Sequence, residues 1–151
     1  VSQQHVDLLG GAARTLTNVT PGTTDVTTAV LLRGCPTKNW VLHLNYEGLA
    51  GDGGDSFVPI LQTSFDGGTV WWDCAAAGTM AGGVVAAVNE LIHSPAGATA
   101  PARKAAADGT TASTVFVMHL LGSHVRLRGN ITDADNDSQW RINKAILTRY
   151  E

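Results

Sequence analysis

A chain of 151 residues that is 44% hydrophobic is long enough for one domain with a proper core. Only 15% of it is charged, below the roughly 25% of ordinary soluble domains, and the basic residues are scattered within a net charge of −3. That excludes a phosphate-backbone footprint, so nucleic acid is not an expected partner; no apolar run reaches the roughly 18 residues of a membrane span, so no membrane is expected either.

The seventeen glycines fit a turn-rich β protein, or a surface largely covered by other subunits. The opening VSQQHVDLL has neither a basic nor an apolar signal region. It leaves cytoplasmic synthesis as the expectation, although a mature protein trimmed at Val1 would look the same. Cys35 and Cys74 are too few for a disulfide scaffold and lack metal-ligand spacing; whether they pair stays open.

In chain order, residues 1–13 read as an N-terminal arm or frayed end, and 14–151 as one domain. Arg14 to Val19 forms a short strand, and Val26 to Arg33 alternates as a second. Lys38 to Glu47 alternates most cleanly, with Trp40, Leu42, Leu44 and Tyr46 on one face. GLAGDGG (48–54) is a loop. Ser56 to Phe65 is a strand in which Pro59 asks for an edge or a bulge. Asp66-Gly67 is a tight-hairpin signal, because such turns need residues that tolerate positive φ. Trp71 and Trp72 follow, so one indole should face the core and the other away from it.

Residues 75–83 read as a small-residue loop, and Val84 to Ile92 fits a strand better than a helix. Residues 94–113, SPAGATAPARKAAADGTTAS, cannot bury much surface and form a long exposed loop. Thr114 to Leu121 is an apolar central strand. His124 to Ile131 turns Val125, Leu127 and Ile131 inward, and His124, Arg126, Arg128 and Asn130 outward. DADNDS (133–138) is a hairpin loop. Gln139 to Tyr150 closes the chain; Lys144 on the face of Trp140, Ile142 and Ile146 calls for a bulge or an edge. Eight or nine strands without a helix make an all-β antiparallel β-sandwich, jelly-roll or immunoglobulin-like.

Little here carries chemistry. Asp133, Asp135 and Asp137 are spaced like calcium-loop ligands, but Ser138 and Lys144 stand where that loop needs Gly and Glu. Asp52 and Asp55 make a weaker case, and no metal is expected. His5, His43, His93, His119 and His124 form neither HxH nor HExxH. No nucleophile elbow, P-loop or dinucleotide fingerprint occurs, so neither an enzyme nor a cofactor is expected. Asn18, Asn130 and Asn136 match the glycosylation triplet, which means nothing without secretion. Whichever of Trp71 and Trp72 faces away from the core is the best exposed anchor, for a protein subunit or a sugar ring.

Ser64-Phe65-Asp66-Gly67-Gly68, then Trp71-Trp72, then Val125-Arg126-Leu127-Arg128, then a closing strand from Trp140 to Leu147, together resemble small structural proteins of tailed bacteriophage heads. The resemblance spans Val26 to Leu147 and departs at the Ala/Pro-rich stretch 94–113. It implies a capsid decoration, or cement, protein. Such proteins bind the virion exterior as homotrimers and hold the major capsid protein shell together. The residues it points to as partner contacts are Trp71, Trp72, Arg126 and Arg128, the arginines facing capsid carboxylates. A tail or head-fibre module is the neighbouring reading, and a carbohydrate-binding β-sandwich the alternative from another class.

Overall fold

The computed structural model describes residues 3–17, 24–26, 29–32, 39–93 and 121–150. The exposed loop expected at 94–113, Cys35, His119, Asn18 and nearly all of the strand expected at 114–121 lie outside them. Eleven strands are described: β1 (Gln3–Asp7), β2 (Arg14–Thr17), β3 (Thr24–Val26), β4 (Val30–Leu31), β5 (Asn39–Ala50), β6 (Ser56–Ser64), β7 (Trp72–Ala76), β8 (Met80–Ala81), β9 (Val85–His93), β10 (His124–Thr132) and β11 (Gln139–Tyr150).

Two antiparallel sheets pack face to face. The first runs β1-β11-β5-β9 with β2 also on β11; the second runs β3-β10-β6-β7, with β4 also on β10 and β8 on β6. Grouped into eight arms, β1/β2 pair with β11, β3/β4 with β10, β5 with β9, and β6 with β7/β8. First meets last, second meets seventh, third meets sixth and fourth meets fifth. That is one long antiparallel ribbon rolled into two sheets, a jelly roll. The immunoglobulin-like order puts its first two strands in one sheet; here the first two arms lie in opposite sheets.

The core sits between the sheets. From the first sheet come Trp40, Leu42, Leu44, Tyr46, Trp140, Ile142, Ala145 and Leu147; from the second come Phe57, Leu61, Val125, Leu127 and Ile131. Phe57 bridges them, stacked on Trp140 at 5.3 Å between centroids and edge-on to Tyr46 at 6.1 Å. Each such side chain contributes roughly 1.5–3 kcal/mol by leaving water.

Several local expectations shift. The N-terminal stretch is a sheet strand of its own domain rather than an arm, because Val6 and Leu8 are buried there and β1 pairs with β11 from Gln3 to Asp7. Residues 133–138 cross between the sheets instead of closing a hairpin, since β10 and β11 belong to different sheets. Residues 75–83 carry the end of β7 and the short β8. Pro59 sits inside β6, opposite Gly129 of β10 with no register shift. Its carbonyl accepts from Ala77 N–H at 2.9 Å. The side lacking an N–H therefore faces the gap between β7 and β8, where no ladder bond is lost. The register of β11 on β5 does shift between Ile142 and Lys144. That bulge reverses the alternation, so Ala145 and Leu147 point inward while Ile146 is half-buried and Lys144 exposed.

Candidate functional site

β6 is buried on both faces. Phe57 and Leu61 face the main core, while Val58 and Ile60 join Ala76 in a second apolar cluster on the opposite face. The sheet register brings three polar residues into one row on that second face, Arg126 of β10, Gln62 of β6 and Asp73 of β7. Arg126 Nε donates to Gln62 Oε1 at 2.8 Å, and Gln62 Nε2 donates to Asp73 Oδ1 at 2.8 Å. Arg128 lies 3.6 Å from Asp73 Oδ2, with the two side chains 2% and 0% exposed. The Arg126 guanidinium stacks 4.2 Å over Trp71, whose indole N–H donates to Gly68 O at 3.0 Å. Burial, then the adjacent Arg128 charge, holds Arg126 below the usual arginine range; Asp73 offsets part of this.

The four residues that the sequence marks as partner contacts thus lie at the end of the β6–β7 loop, at the start of β7 and on β10, in different situations. Trp71 faces away from the core but is only 6% exposed, covered by Arg126. Trp72 is half-buried on the core side, opposite Thr63. Arg128 is buried in the ion pair, and Arg126 is half-buried. Alternation gave the facing of each residue but not the covering of the outward face. The signal for it lies in Val58, Ile60 and Ala76, apolar residues out of phase with the main core.

The hairpin joining β6 to β7 is a built loop of residues 65–71 rather than a two-residue turn. Asp66 Oδ1 accepts from Val70 N–H at 2.9 Å, Thr69 N–H at 3.1 Å and Ser64 Oγ–H at 2.7 Å. Ser64 Oγ accepts from Gly68 N–H at 2.9 Å. The bond from Val70 N–H, followed by that from Ser64, keeps Asp66 below the usual carboxylate range. Gly67 and Gly68 supply φ values of 82° and 96°, where a side chain would be strained. The Ser-x-Asp-Gly-Gly pattern is therefore a loop-building device. It leaves Phe65 and Val70 projecting, each 46% exposed.

A second constellation lies at one end of the sandwich, where the β5–β6 and β10–β11 connections meet. Asp55, Asp133, Asp135 and Asp137 each bring an oxygen within 4.8 Å of the others. Asp133 accepts from Ser138 Oγ–H at 2.6 Å and from the backbone N–H groups of Ser138, Asn136 and Asp135 at 2.9, 2.6 and 3.0 Å. These bonds, the Ser138 hydroxyl first, hold its carboxyl well below the usual range. Asp55 Oδ2 accepts from Asp52 N–H at 2.9 Å. Asp137 is pushed up to about 6 by loss of water, then by the Asp135 charge and by a hydrogen bond with Asp55. Such a set has the chemistry of a hard-cation site, yet Asp133 already takes four donors. The raised Asp137 and the proximity of Asp55 place the two connections side by side. The two acidic loops are visible separately in the sequence; only the sheet registers bring them together.

The described histidines bond to neutral neighbours or stand exposed. His5 Nδ1 lies 2.9 Å from Thr148 Oγ1, His43 Nε2 lies 3.3 Å from Asn89 Oδ1, and His124 Nδ1 lies 2.9 Å from Ser123 Oγ. Cys74 is a free thiol buried in the core, its pKa raised by burial and the neighbouring Asp73.

No protein-family model and no curated protein matches the chain. Among solved structures it is similar over 97% of its length to a chain of the infectious bursal disease virus Gx strain, with TM-score 0.50 and 8% identity, covering 32% of that chain. A chain of the Gt strain is similar over the same share, with TM-score 0.48 and 6% identity, covering 31% of that chain. The VP2 subviral particle of that virus gives TM-score 0.46 and 7% identity over 97% of this chain and 32% of that one. The chain therefore spans about a third of the length of these neighbours, and the likeness is one of fold.

Proposed function

We propose that the chain is a virion structural protein. More narrowly, it is a capsid decoration (cement) protein that binds the outside of a phage head as a homotrimer and braces the major capsid protein. The observation that carries this reading is the jelly roll whose strand β6 is buried on both faces. Its polar side chains, from Arg126 through Gln62 to Asp73 and Arg128, are spent on stiffening the sheet. A brace needs rigidity and contact surface rather than reactive groups. The fold likeness to a chain of the infectious bursal disease virus Gx strain supports the viral part. The Ser64–Gly68 loop and the Val125–Arg128 strand support the phage-head part.

In this reading the contact surface is the loop tip, where Phe65 and Val70 are exposed. Threefold repetition sums modest contacts into strong attachment. Jelly rolls also serve as lectin domains, but a sugar platform needs an open indole face, and Trp71 is covered. The test is sedimentation of purified protein with phage heads that lack it. Binding in fixed ratio to the major capsid protein supports the reading, and loss of binding with Phe65→Ser together with Val70→Ser assigns the surface. Protein left wholly in the supernatant overturns it.

A further inference from the structure

We infer that Asp52 is a site of spontaneous isoaspartate formation in the folded chain, and that the same tripeptide at Asp66 is protected from it. Asp-Gly-Gly occurs at 52–54 and at 66–68, in the connections at opposite ends of β6. Asp52, Gly53, Asp66 and Gly67 are all exposed. As bare sequence the two are equally reactive, since glycine lets the chain reach the conformation that ring closure needs. A third pair, Asp108-Gly109, lies outside the described residues. The reaction needs only water. Gly53 N attacks Asp52 Cγ; the N–Cγ bond forms, the carboxyl C–OH bond breaks, and the hydroxyl leaves with the amide proton as water. Water then opens the five-membered imide at the Asp52 main-chain carbonyl, breaking its bond to Gly53 N. Gly53 is left joined through Cγ, and the former main-chain carbonyl becomes the free carboxylate.

Hydrogen bonding separates the two sites. Asp52 Oδ1 accepts from Gly54 N–H at 2.8 Å. A carboxyl bonded two residues on folds over the intervening peptide, which here holds the Gly53 nitrogen that must attack. Beyond its chain neighbours, nothing lies within 4 Å of where a Gly53 Cβ would stand, so the ring has room. Asp66 Oδ1 is instead held by Val70 N–H, Thr69 N–H and Ser64 Oγ–H, three donors against one. Its carboxyl must shed them before Cγ can turn to Gly67 N. The same bonds, that from Val70 first, keep it below the usual carboxylate range, and an ionised carboxylate has no hydroxyl to lose. Two more bonds to break should slow Asp66 by roughly tenfold or more relative to Asp52. Asp52 O accepts from Asp55 N–H at 3.2 Å, and a Cβ on Gly82 would lie 1.9 Å from it. Turning that carbonyl into a carboxylate therefore loosens the β5–β6 connection, while the loop that carries Phe65 and Val70 keeps its structure. The inference is independent of the capsid reading, since it concerns the isolated chain.

The experiment incubates the purified full chain for several weeks at body temperature and near-neutral pH, native and in guanidinium chloride. Isoaspartate is assigned by peptide mapping with fragmentation that distinguishes it from Asp, and totalled by labelling with an isoaspartyl methyltransferase. In the native chain Asp52 should convert with Asp66 behind by roughly tenfold or more; in denaturant the two should convert at comparable rates. Asp52→Glu, which can close only a slower six-membered imide, should remove the signal at that site. Ser64→Ala, which takes one donor from Asp66, should raise the signal there, and both variants should keep the wild-type circular dichroism. A native Asp52 that stays unconverted while the unfolded chain reacts overturns the inference. So does an Asp66 that converts as fast as Asp52 in the native chain, or one that Ser64→Ala leaves as slow as before.

Discussion

Replacing Asp73 by Ala tests whether the outward face of the second sheet is a true interior. The substitution removes the acceptor of Gln62 Nε2 and the counter-charge of Arg128, and it leaves Arg126 as a second cation close by. The side chains of Asp73 and Arg128 are 0% and 2% exposed, so solvent does little to screen the guanidinium once its counter-charge is gone. Breaking a buried pair from one side costs about 3–5 kcal/mol. With a urea m-value of about 2 kcal/mol/M, the midpoint should fall by about 2 M. For a chain of this length the melting temperature should drop by roughly 6–20 °C. Asp73→Asn keeps an acceptor for Gln62 and loses only the charge, so it should fall between Ala and wild type. Urea and thermal unfolding followed by tryptophan fluorescence measure both. An Asp73→Ala loss below about 1 kcal/mol, the ordinary value of an exposed pair, would refute the reasoning and mean that this face is wet.

Two further outcomes follow from the loops. Asp137 titrates near 6 in the fold, above its ordinary 3.8, so its contribution to stability is fully present below that ordinary value and is lost as pH rises through about 6. Asp133 runs the other way: its lowered pKa gives stability above the ordinary carboxylate value that is lost as pH falls. Asp137→Asn should therefore flatten the decline in melting temperature between pH 4 and pH 6, raising it near neutrality; an unchanged pH profile would contradict the raised Asp137 pKa. At Gly122 a Cβ would lie 2.1 Å from the Ser64 carbonyl oxygen, a backbone atom that cannot step aside. Gly122→Ala should cost about 1–3 kcal/mol or more, measured by urea unfolding, and a neutral result would mean that this approach is looser than described.

How much could be read from sequence follows from the kind of information each feature needs. Strict alternation exposed the inward faces of β5 and β10, because a half-buried strand must place every second residue in the core. The bulge near Lys144 was legible because a charge cannot stay in phase with Trp140 and Ile142. Its consequence for Ile146 was not, since the direction of the phase change depends on the partner strand. β6 resisted reading for another reason: with both faces buried, its alternation carries no contrast, and Gln62 and Ser64 look solvent-facing until Asp73 and Asp66 are found beside them. The acidic end required two registers to be known at once, that of β10 on β6 and that of β11 on β5. The choice between jelly roll and immunoglobulin-like order is likewise a matter of which strands meet, which alternation does not encode.

Heat release of packed DNA measures the bracing claim most directly. Phage heads lacking this protein are compared with the same heads after saturation by the purified chain, and the temperature at which DNA becomes accessible to an intercalating dye is recorded. The account predicts a clear upward shift that Phe65→Ser with Val70→Ser removes. Heads that bind the chain yet open at an unchanged temperature would contradict it.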